Sequence, residues 1–319
     1  MDLKDRYLGT LVGVHVGDSL GAPYETWTSK RIAEDIKERG GLTLFDYENP
    51  WKTDGNGDTL PAGRPTDDSD QTAVLADHLI RYRGIDPEKL RLDLRKNVVE
   101  GISLLWNGRA TGAGGTTRKA LSDNPEEVKE ALANTIGTNG SLMRAAPMGL
   151  WFGSNTTLRV GSGWRKYDQV RLMSEVTHAH PHAICACLLY TDVLMITLEG
   201  NGEYFFSGFL GERLKNRLFD PHDFPYDPGA WPARGTAEFS LYVALYALLK
   251  TKSFAEGIEL AIRIGGDTDT YAAIAGGLLG AKYGYEGIPQ KWREGILGHD
   301  TMVKLAKKLY NLRFSNVRS

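Results

Sequence analysis

The chain has 319 residues, of which 41% are hydrophobic, so it is long enough to bury a continuous core and is not expected to be disordered. Its 38 basic and 40 acidic residues give a formal charge of -2, and no basic run marks a nucleic-acid-binding surface. The apolar stretches are too short or too interrupted by charge for a membrane span, so neither nucleic acid nor a membrane is an expected partner.

Apolar residues recur at helical spacing along most of the chain. The predicted helices, in chain order, are Leu3 to Leu20, Ser69 to Tyr82, Pro87 to Trp106, Ser141 to Phe152, Ala183 to Leu198, Thr236 to Leu249, Phe254 to Arg263, Tyr271 to Tyr283 and Val303 to Leu312. Asp86 before Pro87, and Ser253 three residues before Glu256, are typical helix starts. Strand alternation is almost absent, so an all-α fold is predicted.

Two irregular stretches, Asp46 to Arg64 and Phe219 to Arg234, are dense in glycine, proline, aspartate and aromatic residues. They are predicted surface loops, and their aromatic content is not typical of a flexible linker. A single domain over residues 1–319 is therefore predicted. The only cysteines, Cys185 and Cys187, are interpreted as reduced core residues of a cytoplasmic protein, pointing to different sides of a helix.

The segment Thr66 to Asp68 directly precedes a predicted helix. Threonine and aspartate are preferred helix N-caps, so capping explains this cluster when it is considered alone. A second cluster, Asp267 to Thr270, follows two glycines and precedes another predicted helix. Capping uses one side chain per helix, whereas each of these starts offers several oxygens. The pair is therefore a candidate functional site.

Carboxylate and hydroxyl oxygens, without cysteine or closely spaced histidine, favour Mg²⁺, Mn²⁺ or Ca²⁺ over zinc. If the two helix starts converge, they supply enough ligands for two ions. Glu25 follows the first predicted helix, which Gly21 and Pro23 end. It can join a metal site or act as a base, although a solvated loop glutamate is the default. Asp18 is interpreted as a buried, hydrogen-bonded structural aspartate.

The segment Gly137 to Arg144 is a glycine-rich turn that runs into a predicted helix. Exposed N–H groups at a helix start bind phosphate, so this turn is a candidate diphosphate site. Neither the Walker nor the G-x-G-x-x-G fingerprint is present. His178, His180 and His182 do not have zinc-binding H-E-x-x-H spacing, and at most one of them is expected to contact a ligand.

Together these motifs resemble the ADP-ribosylglycohydrolases of the dinitrogenase-reductase-activating and ADP-ribosyl-arginine hydrolase type. The resemblance extends from Arg6 to Trp292 and is carried by GDSLGAPYE, PTDDSDQTA, GTNGSLMRAAPMGL, THAHPHA and IRIGGDTDTYAAIAGGLLGAKYG. The joint order of T-D-D and G-G-D-x-D-T is its most specific part. The resemblance implies a compact, all-α, multi-helix bundle whose cleft holds two Mg²⁺ or Mn²⁺ ions.

The resemblance also implies site residues and an activity. The implied metal ligands are Thr66, Asp67, Asp68, Asp267, Asp269 and Thr270, and the implied catalytic carboxylates are Glu25, Asp67, Asp68 and Asp269. The residues implied to bind ADP-ribose are Asn139, Gly140, Ser141 and Met143 at the phosphates and His178 near the distal ribose. The implied reaction hydrolyses the glycosidic bond between ADP-ribose and a modified protein or small molecule, releasing ADP-ribose. A monomer is the default expectation.

Gly112 departs from the family pattern. Many bacterial relatives carry an aspartate implicated in catalysis shortly before a G-x-T-T segment, whereas the stretch Ala110 to Thr117 contains no acid. Two alternatives therefore stay open. The linkage cleaved is arginine or another type, and the chain is an active hydrolase or a catalytically weak ADP-ribose-binding or structural relative.

Overall fold

The computed structural model describes residues 1–48, 59–133, 136–153, 163–200 and 235–315, and these residues are mostly helical. The helices are α1 (Leu3–Gly21), α2 (Ser29–Glu38), α3 (Asp67–Tyr82), α4 (Pro87–Val98), α5 (Gly115–Ala120), α6 (Pro125–Leu132), α7 (Ala146–Gly153), α8 (Gly163–Glu175), α9 (Pro181–Leu198), α10 (Ala237–Lys250), α11 (Phe254–Arg263), α12 (Thr268–Tyr283), α13 (Gln290–Gly295) and α14 (His299–Ser315). Extended pairing within these ranges is limited to isolated bridges. The predicted all-α class is confirmed.

Helix α11 has the predicted bounds, and its cap is the predicted one, since the Ser253 hydroxyl accepts the N–H of Glu256 at 3.1 Å. Asp86 likewise caps α4 by accepting the N–H of Lys89 at 3.1 Å. The prediction of a helix from Pro87 to Trp106 was wrong beyond Val98, because Gly101 adopts a φ of 75° that breaks the helix. Residues 141–144 form a turn rather than the first turn of a helix, and α7 begins at Ala146.

Helices α1 and α12 form a close antiparallel pair. The glycines of α1 that face α12 recur every four residues, at Gly9, Gly13, Gly17 and Gly21. A side chain at any of them would overlap a backbone carbonyl group of α12. The hydroxyl of Thr268, at the start of α12, donates to the Gly21 carbonyl at 2.8 Å. This register places the end of α1, with Asp18, beside the start of α12.

One hydrophobic core cluster includes side chains from most of the helices, for example Leu11 of α1, Leu75 of α3, Leu194 of α9, Ile274 of α12 and Leu309 of α14. Helix α9 is, by length and composition alone, apolar enough to cross a membrane, with a mean hydropathy of 1.5 over Pro181–Leu198. However, 56% of that stretch is buried against the rest of the protein, as is also typical of a core helix.

The two cysteines of α9 do point to different sides of the helix. Cys187 is buried, as predicted, but Cys185 is exposed, so the prediction that both are core residues was wrong for Cys185. Of the two predicted loops, the second, Phe219 to Arg234, lies outside the described residues. In the first loop the described ends include Tyr47 and Leu60, which are buried and form an antiparallel bridge.

His15, in the middle of α1, is fully buried, and neither of its ring nitrogens has a hydrogen-bond partner among the described residues. Burial, followed by the nearby His299, lowers the pKa of His15 to about 3. The unfolded chain protonates this side chain near pH 6.5. Between these two values only the unfolded state binds the proton, so the free energy of unfolding falls as the pH is lowered from 6.5.

We expect His15→Leu, which replaces the ring with an apolar side chain, to flatten this loss of stability between pH 6.5 and 4. The gain at pH 4 is up to about 3 kcal/mol, since the window spans about 2.5 pH units and each is worth up to about 1.4 kcal/mol. Urea unfolding at several pH values measures it, with the exposed His182→Gln as control. Some acid sensitivity persists because burial also lowers the pKa values of His78 and His178. Equal pH slopes in wild type and His15→Leu would contradict this account.

Candidate functional site

The structure brings the two acidic helix starts together. Carboxylate oxygens of Asp18, Asp68 and Asp269 lie within 4.8 Å of one another, and so do those of Glu25, Asp267 and Asp269. Asp269 belongs to both groups. The pairing of α1 with α12 produces this convergence, because it places the start of α12 against the end of α1, and α3 begins beside the same point.

Helix capping does not explain these residues. Thr66 is the N-cap of α3 and Asp267 is the N-cap of α12, yet neither makes a side-chain capping hydrogen bond. Instead Asp18, from α1, accepts the N–H groups of Thr66 at 2.9 Å and Ser69 at 3.1 Å. Two N–H groups at the start of α3 are thus satisfied from another helix, so the side chains of Thr66 and Asp68 are not needed to cap them.

Asp18 also accepts the hydroxyl groups of Thr66, at 2.6 Å, and of Ser69. These bonds engage both of its carboxylate oxygens, which confirms the interpretation of Asp18 as a buried, hydrogen-bonded aspartate. The Thr66 hydroxyl additionally lies 3.1 Å from Asp68 Oδ2. Asp18 therefore orients Thr66 and the start of α3, and it adds negative charge to the cluster.

The cluster concentrates negative charge in a buried place. The pKa of the Asp68 carboxyl is raised well above its ordinary value, first by burial and then by the charges of Asp269 and Asp67. The pKa of Asp267 is also raised, by burial and then by Asp269 and Glu25, although hydrogen bonds from Asn139 and Thr270 oppose the rise. Such a group of carboxylates requires either protons or a cation.

A hard divalent cation fits this donor set. The candidate ligands are all oxygens, and Asp68 Oδ1 is a buried oxygen that has no hydrogen-bond partner in the described part of the chain. The four charges that raise the Asp68 pKa are all carboxylates. Thr66 and Thr270, at the two helix starts, are buried beside them. The acidic clusters can thus bind metal.

Glu25 is held by the backbone rather than left in a solvated loop. It ends the short 3-10 helix Ala22–Tyr24 and is only partly exposed. The next residue, Thr26, has a φ of 71°, and its N–H donates to the Gly266 carbonyl at 2.7 Å. The N–H of Gly266 in turn donates to the Trp27 carbonyl at 3.1 Å. These two bonds tie the Glu25 turn to the second acidic segment.

The glycine-rich turn also lies at this site, but most of its side chains are buried. Asn139 donates to Asp267 Oδ2 at 2.7 Å and to the Ser240 hydroxyl at 2.9 Å, so both of its amide hydrogens are used within the protein. Ser141 is buried against Ser174 and Cys187, and Met143 is buried as well. Gly140 is partly exposed, and a Cβ atom there would be 2.9 Å from His178 Nε2.

A family model for ADP-ribosylglycohydrolase matches residues 1–318. The chain belongs to the ADP-ribosylglycohydrolase family. It is 27% identical to the ADP-ribosyl-[dinitrogen reductase] glycohydrolase of Rhodospirillum rubrum, over 91% of this chain and 90% of that protein. It is 25% identical to the ADP-ribosylarginine hydrolase Tri1 of Serratia proteamaculans, over 96% of this chain and 79% of that protein.

The fold agrees with this family assignment. A solved ADP-ribosylglycohydrolase-related protein complex contains a chain that superposes with a TM-score of 0.67 at 28% identity, covering 98% of this chain and 99% of that one. The family resemblance inferred from the motifs is confirmed, and the chain is a hydrolase of the ADP-ribosylglycohydrolase family.

Gly112, the departure from the pattern of many bacterial ADP-ribosylglycohydrolases, lies directly against the site. Its φ is 105°, and a Cβ atom there would be 2.7 Å from Asp67 Oδ1. An aspartate in this position would therefore combine backbone strain with a clash between two like-charged groups. This backbone conformation explains why a glycine is present here. With glycine at this position, the edge of the cluster has one acid fewer than in the relatives that carry an aspartate.

Sequence reasoning did not assign roles to Gln71 and Arg144. Gln71 Nε2 donates to Asp67 Oδ2 at 3.1 Å, and the fully buried Arg144 donates to Gln71 Oε1 at 2.8 Å. Both residues belong to motifs that resemble the ADP-ribosylglycohydrolases, PTDDSDQTA and GTNGSLMR. Position within such a motif draws attention to a residue but does not identify its hydrogen-bond partner.

Proposed function

We propose that this chain is a metal-dependent hydrolase that cleaves the glycosidic bond between ADP-ribose and a modified target. The single observation that carries this proposal is the convergence of the two acidic helix starts on Asp269. Membership of the ADP-ribosylglycohydrolase family supports the choice of ADP-ribose as the sugar nucleotide. We also propose that residues 1–319 form a single domain that contains both acidic helix starts.

The proposed cofactors are two Mg²⁺ or Mn²⁺ ions. The residues that would hold them are Thr66, Asp67, Asp68, Asp267, Asp269 and Thr270, with Glu25 beside the second group. Asp18 is better suited to orienting Thr66, because its own oxygens already accept protein hydrogen bonds. When bound, such ions supply positive charge that orients the ribose hydroxyls and makes a water molecule easier to deprotonate.

The protein's own groups would carry the remaining steps. Glu25, Asp67 or Asp68 accepts the proton of the attacking water, and Glu25 is the most accessible of the three. Bond cleavage at the anomeric carbon of the distal ribose develops positive charge on the sugar, which the carboxylate cluster stabilises. The phosphates are proposed to lie beside the partly exposed Gly140, and the distal ribose near His178.

The first substrate to test is arginine-linked ADP-ribose, because the names of two relatives specify arginine or dinitrogen reductase. Gly112 favours including other linkages, such as serine, in the same panel, since it changes the edge of the cluster near Asp67. It also favours the alternative function, a relative that binds ADP-ribose with little turnover. Thermal shift with ADP-ribose, followed by turnover on the same panel, distinguishes a binding protein from a hydrolase.

We expect turnover to require Mg²⁺ or Mn²⁺. Removal of metal with a chelator, followed by dialysis, is expected to abolish hydrolysis, because the uncompensated carboxylates of the cluster repel one another and would not activate water. Adding back either ion should restore activity, and elemental analysis measures the ion content at each stage. Full activity in a protein shown to be metal-free would contradict the proposed mechanism.

A further inference from the structure

A line of buried polar side chains connects the first acidic cluster with His178. Its centre is Arg144, which has no exposed surface. One nitrogen, Nη1, donates to Gln71 Oε1 at 2.8 Å and to the Gly140 carbonyl at 3.2 Å. The other, Nη2, donates to Thr177 Oγ1 at 2.7 Å. Arg144 therefore contacts the acidic side, the glycine-rich turn and the histidine side of the site at once.

Arginine can only donate, so Thr177 Oγ1 accepts from Arg144, and the next bond depends on where the Thr177 hydroxyl hydrogen lies. Among the described residues, the one acceptor recorded for the hydroxyl hydrogen of the buried Thr177 is His178 Nδ1, 2.7 Å away, so this hydrogen satisfies its bonding by donation to that nitrogen. A His178 ring that accepts at Nδ1 carries its hydrogen on Nε2. Burial, followed by the charge of Arg144, lowers the pKa of this ring to about 3, so it stays neutral.

His178 Nε2 lies on the side of the ring that faces the glycine-rich turn. A Cβ atom at Gly140 would be 2.9 Å from it, so only glycine leaves this approach open. An N–H at Nε2 is consequently a donor next to the partly exposed part of the turn. With the opposite tautomer, the same nitrogen would be an acceptor, which repels phosphate oxygens and could only accept a hydrogen bond from a ribose hydroxyl.

The same guanidinium also orients the side-chain amide of Gln71, which lies beside the proposed metal ligand Asp67. Its donation to Gln71 Oε1 fixes the amide so that Nε2 donates to Asp67 Oδ2, at 3.1 Å. Within the described residues no carboxylate lies at ion-pair distance from Arg144. The negative charge of Asp67, on the other side of the Gln71 amide, instead favours the buried positive charge of Arg144.

We propose that Arg144 is a positioning residue that serves both halves of the site: through Thr177 it fixes His178 as an Nε2–H donor toward ADP-ribose, and through Gln71 it holds Asp67 in place for a divalent cation. This inference rests on the proposed function for its ligands. The tautomer of His178, however, is a property of the ligand-free protein and is measured independently of any activity.

Three variants test the two arms of the proposal separately, namely the link from Arg144 to His178 and the link from Arg144 to Asp67. Thr177→Val removes the link to His178, Gln71→Leu removes the link to Asp67, and Arg144→Lys disturbs both. Thr197→Val, a buried threonine whose hydroxyl donates only to the carbonyl one turn earlier in α9, is the matched control. The measurements are ¹⁵N NMR of the ligand-free imidazole, with His178→Gln for assignment, Mn²⁺ binding by electron paramagnetic resonance, and calorimetric ADP-ribose binding at saturating Mn²⁺.

In the wild type we expect His178 to be protonated on Nε2. Thr177→Val should change the tautomer signal and weaken ADP-ribose binding about tenfold while leaving the Mn²⁺ affinity unchanged. Gln71→Leu should weaken Mn²⁺ binding about tenfold and keep the tautomer. Arg144→Lys should move both constants. If Arg144→Lys does not fold, the inference is decided by the other two variants, one of which should affect ADP-ribose binding and the other Mn²⁺ binding.

Protonation of wild-type His178 on Nδ1 would overturn the inference, and so would equal effects of Thr177→Val and Thr197→Val. Unchanged Mn²⁺ binding in Gln71→Leu would overturn the metal arm. Failure of the wild type to bind ADP-ribose would instead count against the proposed function, because the tautomer and the Mn²⁺ measurements do not depend on that ligand.

Discussion

Replacement of Asp269 with asparagine is expected to reduce turnover about a thousandfold and to lower the metal content. Asp269 is the residue shared by both carboxylate groups, so its neutralisation removes a full negative charge where the two groups meet. Asparagine has the same size and caps helices well, so a residue needed only at the start of α12 would tolerate the change. Metal stoichiometry and turnover, measured on the same preparations, separate the two roles.

In the absence of metal, we expect the melting temperature of Asp269→Asn to equal or exceed that of the wild type. Asp269 is, after burial, the first cause of the raised pKa values of both Asp68 and Asp267, so its neutralisation relieves repulsion within the cluster. Asp300→Asn is the matched control, because Asp300 is also a first-turn carboxylate but is fully exposed. Wild-type turnover and metal content in Asp269→Asn would require Asp269 to be withdrawn as a ligand.

Substitution of Gly276 by alanine is expected to destabilise the fold by about 3 kcal/mol, which lowers the melting temperature by several degrees. A methyl carbon there would lie 2.8 Å from the carbonyl carbon of Gly13 and would overlap the carbonyl oxygen. Both atoms belong to helix backbone, so the strain is relieved only if α1 and α12 move apart. Because Asp18 and Asp269 lie on these two helices, we also expect weaker metal binding.

Gly115→Ala provides the control for this substitution. Gly115 is at the start of α5, and a Cβ atom added there would have no neighbour within 4 Å. Alanine there should be neutral or stabilise the protein by about 0.5 to 1 kcal/mol, since alanine favours a helix more than glycine does. Chemical denaturation of both variants measures the difference. A similar, small effect of the two substitutions would contradict the close packing of α1 on α12.

The long helices were predictable because they bury one face or are buried all round. The missed helices lack this signal. In α2 only Ile32 and Ile36 are buried, and α5, α6 and α13 are too short for a clear period. Helix α8 was also missed, and the buried hydrophobic residues described in it are Val170 and Met173. The two acidic clusters were also predictable, since each contains more oxygens than a cap requires. Their convergence was only a hypothesis, because spacing within one segment carries no information about which segments meet.

The side-chain roles around the clusters were the least predictable part. The glycine-rich turn stays a predicted phosphate site, but two of its side chains face the protein, because Asn139 donates to Asp267 and Ser141 is buried. Hydrogen-bond partners that are far apart in the chain decide these roles, as with Asp18 and Thr66, which are 48 residues apart. Single-sequence patterns describe local structure, so they cannot select among such partners.

The pairing of α1 with α12 also has a consequence for protein synthesis. Gly21 and Thr268, which meet at the site, are separated by 247 residues. At cellular elongation rates the ribosome needs roughly 12 to 50 seconds to make that length of chain. During this interval α1, rich in glycine and apolar on nearly every side, is a weak helix that lacks α12, the helix on which it packs most extensively. The acidic site, which needs Asp18 and Asp269 together, can therefore be completed only after the start of α12 has been synthesised.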